Sequence, residues 1–415
     1  MSRHNNDKRV VITGIGALSP LGHDVETMLD SLHAEANKVQ VMQDWADYEG
    51  LNTQVGVPCA PFELPADRYN RKSMRSMGRV AQMATRSAEL ALQQAGLIGD
   101  PLVTSGKLGV SFGSSSGTPS AVGDFGRMMS AKSIEGINAN TYVKMMSHTA
   151  TVNIAVFFGI TGRIITTSSA CTSGSQGLGY AYEAVKSGKQ IAMLGGGAEE
   201  LDPTQAAVFD TLFATSTKYN GQPRLTPRPF DAERDGLVLG EGACTFVLEE
   251  YEHAKARGAH MLGEIVGYGT NCDGTHVTQP QSATMAGAMR LALEDAGLPA
   301  SAIPYVNAHG TSTDQGDVAE SQGTQSVFGS QVAISSLKSY MGHTLGACGA
   351  LEAWMTLEMM KAGWFAPTLN LRSVDPRCGE LDYVLAGGRR LETEYAMSNN
   401  FAFGGINTSL ILRRL

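Results

Sequence analysis

The most constraining feature of the sequence is an internal duplication, because it allows only folds that can be built twice and joined. LALQQAGL at 90–97 returns as LALEDAGL at 291–298, each time at the end of an Ala- and Met-rich helical pattern and before a strand. VITGIGA at 11–17 has a counterpart in IVGYGTN at 265–271. Strands alternate with helices in each copy, which predicts two α/β halves related by pseudo-symmetry.

Two further pairs of segments extend the duplication. ITTSSACTSGSQGLGYAYEA (165–184) is paralleled by ISSLKSYMGHTLGACGALEA (334–353), each predicted to form a strand, a turn and a helix. VLGEGACTFVLEE (238–250) is paralleled by NFAFGGINTSLILRR (400–414). Because clefts form where the helix N-termini of such halves meet, we expect a functional site between the two halves.

The chain is long enough for two fused halves, each with its own share of the core. It has 415 residues, and a hydrophobic content of 42% is that of an ordinary globular protein. We place an N-terminal half with cap insertions at 1–258 and a C-terminal half at 259–415, because a predicted helix at 251–257 ends at Gly258.

Composition excludes several classes of function. A net charge of −8 argues against nucleic-acid binding, which needs a cationic surface. Six scattered cysteines without a CxxC pair favour neither a disulfide framework nor a zinc site, and fit a reduced, cytoplasmic setting. The N-terminus is polar, so we expect no signal peptide. The sequence has no run of about 18 apolar residues, so we expect no membrane span.

A glycine-rich turn near the N-terminus suggests nucleotide binding, but only in part. Gly14 and Gly16 follow a β-branched strand, as in a dinucleotide-binding fingerprint. Ser19 stands in the place of the third glycine and Pro20 follows it, so the fingerprint is incomplete. We therefore expect no dinucleotide at this turn.

Cys171 is the first candidate for chemistry. It lies at a turn between a predicted strand and a predicted helix, where the first free N–H groups of the helix point. The positive end of the helix dipole favours a thiolate there, which predicts a lowered pKa. Small neighbours such as Ser169, Ala170 and Gly174 leave room for a bulky substrate. A buried, inert cysteine is the alternative, and this segment alone does not distinguish the two.

Two histidines occupy comparable turns in the second half. NAHGTSTDQGD (307–317) places His309 after a predicted strand, and SLKSYMGHTLGACGALE (336–352) places His343 before a Gly- and Ala-rich helix start. The dipole disfavours the imidazolium form of His343, so a neutral ring can donate a hydrogen bond to a carbonyl oxygen and favour an enolate. Either histidine alone would fit a satisfied core residue, whereas both together with a cysteine on a third turn favour a catalytic site.

Lys338 and Glu352 are predicted to form an internal ion pair that orients this site. One cysteine and two histidines would also suit a metal ion. Zinc ligands, however, usually come in tighter local pairs, and a cysteine beside a base is better explained as a nucleophile. We therefore expect no metal.

The segment RYNRKSMRSMGR concentrates positive charge in an otherwise acidic chain. Arg68, Arg71, Lys72, Arg75 and Arg79 recur at spacings of three and four, which on a helix would place them on one side. Such a run is usually a solvated helix face, and it also suits docking of an acidic partner. The residues alone favour the solvated face.

Together the motifs carry a specific resemblance. SSACTSG, NAHGTSTxxGD, KSxxGHTLGACG and NxFxFGGxN are those of an elongating β-ketoacyl-[acyl-carrier-protein] synthase, which the chain resembles from Val10 to Leu412. The resemblance implies a thiolase-like fold, a five-layered αβαβα core of two fused halves, and a cytoplasmic homodimer. It implies an acyltransferase of fatty-acid synthesis, or of a related polyketide or polyene pathway.

The same resemblance implies a role for each residue of the predicted site. Cys171 would carry the acyl chain as a thioester, and its N–H and that of Phe403 would bind the oxyanion. His309 and His343 would promote decarboxylation of a malonyl thioester and stabilise the enolate, in a catalytic set that also includes Lys338 and Glu352. The product would be a 3-oxoacyl carrier protein.

The resemblance implies no cofactor beyond the phosphopantetheine arm of an acyl carrier protein. Further positions of the sequence match supporting roles of the family. They are the gate loop Phe401, Phe403, Gly404 and Gly405; the pantetheine contacts Thr311 and Thr313; Asp317 and Glu320, acids behind the catalytic residues; Ser116 near the acyl pocket; and Arg68, Arg71, Lys72 and Arg75, which the resemblance now favours as the carrier-protein docking site.

Two alternatives remain at this stage. The chain could be the catalytic ketosynthase subunit of a heterodimer with a chain-length-determining partner, since a non-catalytic subunit would lack Cys171. A thiolase acting on coenzyme A esters is less favoured, because it needs a second reactive cysteine in a CxG turn near the C-terminus. This chain has NFAFGGIN (400–407) there instead.

Overall fold

A computed structural model describes residues 7–415, and its secondary structure follows the duplication. The strands are β1 (Val10–Leu18), β2 (Gln40–Val41), β3 (Val55–Val57), β4 (Leu108–Gly113), β5 (Ile164–Thr166), β6 (Ala192–Glu199), β7 (Leu239–Gly240), β8 (Gly242–Glu250), β9 (Gly263–Cys272), β10 (Tyr305–Asn307), β11 (Ala333–Ser335), β12 (Trp364–Phe365), β13 (Asp382–Tyr383), β14 (Arg389–Arg390), β15 (Tyr395–Phe401) and β16 (Ile406–Arg413). The helices are α1 (Val25–His33), α2 (Arg79–Gln94), α3 (Pro101–Thr104), α4 (Pro119–Ala131), α5 (Ala139–Met145), α6 (Thr149–Phe158), α7 (Ser173–Lys186), α8 (Pro203–Asp210), α9 (Tyr251–Ala256), α10 (Ser282–Ala296), α11 (Asp314–Phe328), α12 (Lys338–Met341) and α13 (Cys348–Ala362).

The order of the strands is the same in both halves, which confirms the predicted duplication. In the first half the order is β1-β8-β6-β4-β5, and in the second it is β9-β16-β15-β10-β11, extended by β13. Counted along the chain, each half therefore has its strands in the order first, fifth, fourth, second, third. The halves meet at a short antiparallel pairing of β1 with β9, in which Val11 faces Glu264 and Ile12 faces Gly263.

Helices cover these strands in layers, as the predicted αβαβα core requires. The buried helices α7 and α13 pack against each other, α7 against β6 and β4, and α13 against β15 and β8. On the outer faces, α2 packs on β1 and α6 on β4, while α10 packs on β9 and contacts α11. The starts of α7 and α13 are thereby brought together at the centre of the molecule.

The glycines of the first strand serve helix packing. A Cβ atom on Gly16 would overlap the carbonyl oxygen of Ser87 in α2, and one on Gly269 would overlap that of Ala288 in α10. The strand and the helix that follows it in each half therefore approach at backbone contact. This packing explains why the GxG pair and the LALxxAGL segment recur together.

Two features bear on the predicted organisation. The division at 258/259 lies between α9 and β9 and stays a prediction. Within residues 7–415, no helix combines the length and the hydropathy needed to cross a bilayer.

Candidate active site

Three turns from distant parts of the chain converge at one point. Cys171 lies in a 3₁₀ turn between β5 and α7, His309 follows β10, and His343 follows α12. The Cys171 sulfur and one ring nitrogen of each histidine all lie within 4.8 Å of one another, and the three residues are buried. The structure thus brings together the three residues that the sequence singled out.

Side-chain hydrogen bonds hold the turn that carries Cys171. Ala170 has a φ of +51°, a left-handed conformation that a non-glycine residue adopts at a cost. The Ser173 hydroxyl donates to the Ala170 carbonyl at 2.7 Å and accepts from the Ser169 N–H at 3.0 Å. Thr172 donates to the Ser169 carbonyl at 2.8 Å. The small polar residues therefore fix the conformation of the turn and also leave room for a substrate beside Cys171.

Glycines set the separation of the two halves at the site. A Cβ atom on Gly174 would lie 2.7 Å from the carbonyl oxygen of Gly346, and one on Gly349 would lie 2.6 Å from the N atom of Ser175. The main chains at the starts of α7 and α13 consequently touch directly. No side chain could be inserted between the turns of Cys171 and His343 without moving them apart.

The predicted lowering of the pKa of Cys171 is wrong. Burial raises the pKa of the thiol to about 11, and the N–H groups of Phe403 and Cys171 and the positive charge of Lys338 only reduce that rise. The cost of desolvating a thiolate therefore exceeds the benefit of the helix start. The N–H groups of Cys171 and Phe403 lie close enough to the sulfur to affect the pKa of its thiol, while their binding of an oxyanion stays a prediction.

Both histidines are neutral, as predicted, although for a different reason. Burial and the charge of Lys338 hold the pKa of His309 and of His343 well below the usual range. The Leu345 N–H donates to Nδ1 of His343 at 3.3 Å, which leaves the proton on Nε2. That Nε2 is buried without a partner in the described structure, so its N–H is free to donate to a substrate.

A buried ion pair lies behind the histidines, and the sequence did not reveal its third member. Lys338 pairs with Glu352, as predicted. Asn400 donates to the other oxygen of Glu352 at 2.8 Å and approaches Nδ1 of His309 at 3.5 Å. The sequence signal that could have identified Asn400 was a polar residue on the inward face of the strand β15. The charge of Lys338 also opposes a metal ion at the three converging atoms, although the expected absence of metal stays a prediction.

The loop after His309 is held by two buried carboxylates. Glu320 accepts from the N–H groups of His309 and Gly310, both at 2.7 Å, and burial raises its pKa to about 8. Asp317 accepts from the Ser312 N–H at 3.0 Å, and burial raises its pKa to about 6. Both acids therefore act on the backbone of the loop.

A cavity of about 470 Å³ leads from the surface to Cys171. Its lining includes Thr311 and Thr313, whose hydroxyls lie 2.9 Å apart. Of the predicted gate loop, Phe401, Phe403 and Gly405 also line it. These residues lie where a bound substrate would pass, while their individual roles stay predictions.

The gate loop has a conformation suited to glycine. Gly404 and Gly405 have φ values of +97° and +80°, and the Gly404 N–H donates to the Val277 carbonyl at 2.8 Å. The ring of Phe403 meets that of Phe209 edge to face at 6.1 Å. Ser116 does not line this cavity; it is exposed and accepts a hydrogen bond from Gln205 at 3.2 Å.

The basic segment differs from its predicted form. Residues 66–77 form turns, so helical spacing does not align its charges. Arg68 pairs with the buried Glu89 and is taken up by the fold. Arg71, Lys72 and Arg75 are exposed and form no ion pair with the described part of the chain.

Comparison with known proteins places this arrangement among characterised sequences. The family described as "Beta-ketoacyl synthase, N-terminal domain" matches residues 7–254, and "Beta-ketoacyl synthase, C-terminal domain" matches residues 262–372. The 3-oxoacyl-[acyl-carrier-protein] synthase 1 of Haemophilus influenzae is 36% identical over 411 residues, covering 98% of this chain and 99% of the relative.

Solved structures are similar over the whole chain. A beta-ketoacyl synthase from Burkholderia phymatum STM815 is 59% identical with a TM-score of 0.96, covering 98% of this chain and 100% of that one. The ishigamide ketosynthase/chain length factor is 30% identical with a TM-score of 0.90, covering 99% and 100%.

Proposed function

The chain belongs to the beta-ketoacyl synthase family, and from this premise we propose that it joins an acyl thioester to malonyl-acyl carrier protein by decarboxylative Claisen condensation. The product is a 3-oxoacyl carrier protein, in fatty-acid or related polyketide or polyene elongation. The observation that carries the proposal is the convergence of one sulfur and two neutral imidazoles within 4.8 Å at the end of a cavity.

In the first step, the Cys171 sulfur attacks the carbonyl carbon of the acyl thioester. A new S–C bond forms, the bond to the pantetheine sulfur breaks, and the thiol proton passes to the departing pantetheine. The proton leaves during attack because burial keeps Cys171 as a thiol at neutral pH. The N–H groups of Cys171 and Phe403 stabilise the tetrahedral oxyanion.

In the second step, the carbonyl oxygen of the malonyl thioester accepts hydrogen bonds from the histidines. His343 donates through Nε2, whose N–H has no partner in the described structure, and His309 lies beside it with ring centroids 5.0 Å apart. Carbon dioxide leaves and its bonding electrons form an enolate. The enolate carbon attacks the acyl carbon, the bond to Cys171 breaks, and the sulfur takes a proton from water, which replaces the one that left with the pantetheine thiol. Neutral rings suit this role because each keeps a donor proton and adds no charge.

The partner of the reaction is an acyl carrier protein, and its arm is the only carrier group the mechanism needs. Arg71, Lys72 and Arg75 supply exposed positive charge for an acidic carrier. For the chain itself we infer a cytoplasmic homodimer, paired through the edge strand β5, where Ile164 is 42% exposed at the end of the sheet.

A second candidate is the catalytic subunit of a heterodimer. The similarity to the ishigamide ketosynthase/chain length factor favours it. Light scattering of the purified chain distinguishes the two: a homodimer is expected, whereas a monomer that dimerises only with a homologous subunit supports the heterodimer.

The test is intact-mass spectrometry after incubation with carrier proteins bearing acyl chains of increasing length. We expect one acyl adduct, lost in Cys171→Ala and retained in Cys272→Ala, which removes the exposed thiol. The chain lengths that load rank the preferred substrates. An unchanged mass with every donor, or an adduct that persists in Cys171→Ala, contradicts the proposal.

A further inference from the structure

The mouth of the cavity carries exposed apolar side chains that the reaction chemistry does not use. Leu212 and Phe213 follow the end of α8, and Val277 also lines the opening. Their exposures are 43%, 91% and 56%. We call these three residues the mouth patch. Exposed apolar groups gathered around a cavity opening are typical of an interaction surface.

Phe213 is costly for the fold in two ways. At 91% exposure its ring buries almost no area, so it adds little to the stability of the core. Its φ of +54° lies in the left-handed region, which glycine adopts freely and a bulky residue adopts under strain. The folded chain gains little from this residue, which is the pattern expected of a side chain that contacts another molecule.

The turn that presents Phe213 is rigidly built. The Phe213 N–H donates to the Asp210 carbonyl and the Ala214 N–H to the Phe209 carbonyl, both at 2.9 Å. The Asp210 carboxylate in turn accepts from the main-chain N–H groups of residues 52 and 53 at 2.9 and 3.1 Å. The ring is therefore held outward by a fixed backbone, which lowers the entropic cost of binding.

We propose that the mouth patch is the apolar part of the docking surface for the acyl carrier protein, with Phe213 as its anchor. This rests on the proposed function. A cavity of about 470 Å³ admits an extended arm and excludes a folded protein, so the carrier sits over the mouth while its thioester reaches Cys171. An aromatic residue at the centre of a contact commonly supplies much of its binding energy.

The position of the patch favours a transient partner. A second copy of this chain seated permanently on Leu212 and Phe213 would close the cavity through which substrate reaches Cys171. A lipid surface lying over the same rim would do so as well. A carrier protein docks, delivers its arm and leaves, and is therefore compatible with an open mouth between turnovers.

The test compares carrier-bound and small substrates in Phe213→Gly. We expect KM for the acyl carrier protein to rise about tenfold, with kcat within about twofold, because docking weakens and the chemistry does not change. The same acyl group on N-acetylcysteamine should react as in the wild type. The melting temperature should not fall, because glycine accommodates a φ of +54°.

Two matched variants serve as controls. Phe213→Leu keeps an apolar side chain and should retain most of the affinity for the carrier. Leu385→Ser removes a side chain that is 51% exposed but does not line the cavity, and should leave KM unchanged.

Several results would overturn the docking surface. An unchanged KM for the carrier protein in Phe213→Gly would show that Phe213 is not an anchor for docking. An equal loss of activity with the N-acetylcysteamine thioester would show that Phe213 contacts the arm or the acyl chain instead. A changed oligomeric state, or lost binding to anionic phospholipid vesicles, assigns the patch to a second copy or to a lipid surface. If the wild-type enzyme condenses no carrier-bound substrate, the proposed function itself is overturned. If the wild type turns over normally and only the docking prediction fails, the proposed function stands.

Discussion

The two strand–turn–helix units at the site share their connectivity and differ in their surroundings. In the first half, β5 leads through Cys171 into α7, and β5 is an edge strand. In the second half, β11 leads to His343 and α13, and β11 is fully buried between β10 and β13. The duplicated backbone supplies the same frame twice, while the residue at the turn determines the chemistry. The comparison teaches that one backbone frame can present a sulfur in one half and an imidazole in the other, which under the proposed function would hold the acyl chain and activate the malonyl group.

The largest expected effect breaks this division of labour. His343→Ala should still load an acyl chain on Cys171, since the first half is intact. Decarboxylation of malonyl carrier protein and condensation should fall by about 10²–10⁴-fold, because the enolate loses a hydrogen-bond donor. Intact mass reports loading and released carbon dioxide reports decarboxylation. Equal loss of both activities would show that the halves do not act separately.

A smaller effect tests how closely the two frames correspond. Gly16→Ala and Gly269→Ala each force a methyl group against a helix carbonyl, so each should lower the free energy of unfolding by about 1–3 kcal/mol. The two values should agree within about 1 kcal/mol, as measured by urea unfolding. Gly126→Ala is the control: a Cβ there meets nothing within 4 Å, and alanine in a helix should be neutral or stabilising. Widely different values at Gly16 and Gly269 would contradict equivalent packing.

The last expected effect concerns pH and sharpens the electrostatic contrast between the turns. Burial raises the pKa of Cys171 to about 11, so the thiolate fraction rises about tenfold per pH unit below that value. Alkylation of Cys171 by iodoacetamide should therefore accelerate from pH 7 to pH 9.5 without a plateau, in a Cys272→Ala background that removes the exposed thiol. A plateau below pH 8 would mean that the resting sulfur is already ionised.

Much of the fold was predictable because its signals are local and repeated. The LALxxAGL segments, the paired glycines and the two strand–turn–helix units each identify one element, and their recurrence predicts two matching halves. The convergence of Cys171, His309 and His343 followed from placing each on a turn at the end of a strand. Chain connectivity alone brings such turns to one edge of a sheet.

What could not be predicted depends on contacts between distant segments. The pKa of Cys171 is set by burial under both halves, which outweighs the local helix start that the sequence displays. Arg68 looked available for docking, yet its partner Glu89 lies on another element. Asn400 enters the site only because β15 passes behind His309. Phe213 gave no sequence signal, since its exposure and backbone strain arise from the turn that Asp210 anchors.

The glycine contact between the starts of α7 and α13 has a consequence for how such an enzyme can change. Since main chain meets main chain where Gly174 approaches Gly346, no side chain between the starts of α7 and α13 sets their separation. Substitutions elsewhere in the lining can reshape the space for an acyl tail while leaving the reacting atoms at their spacing. Substrate range is thereby free to diversify while the separation of the two helix starts stays constant.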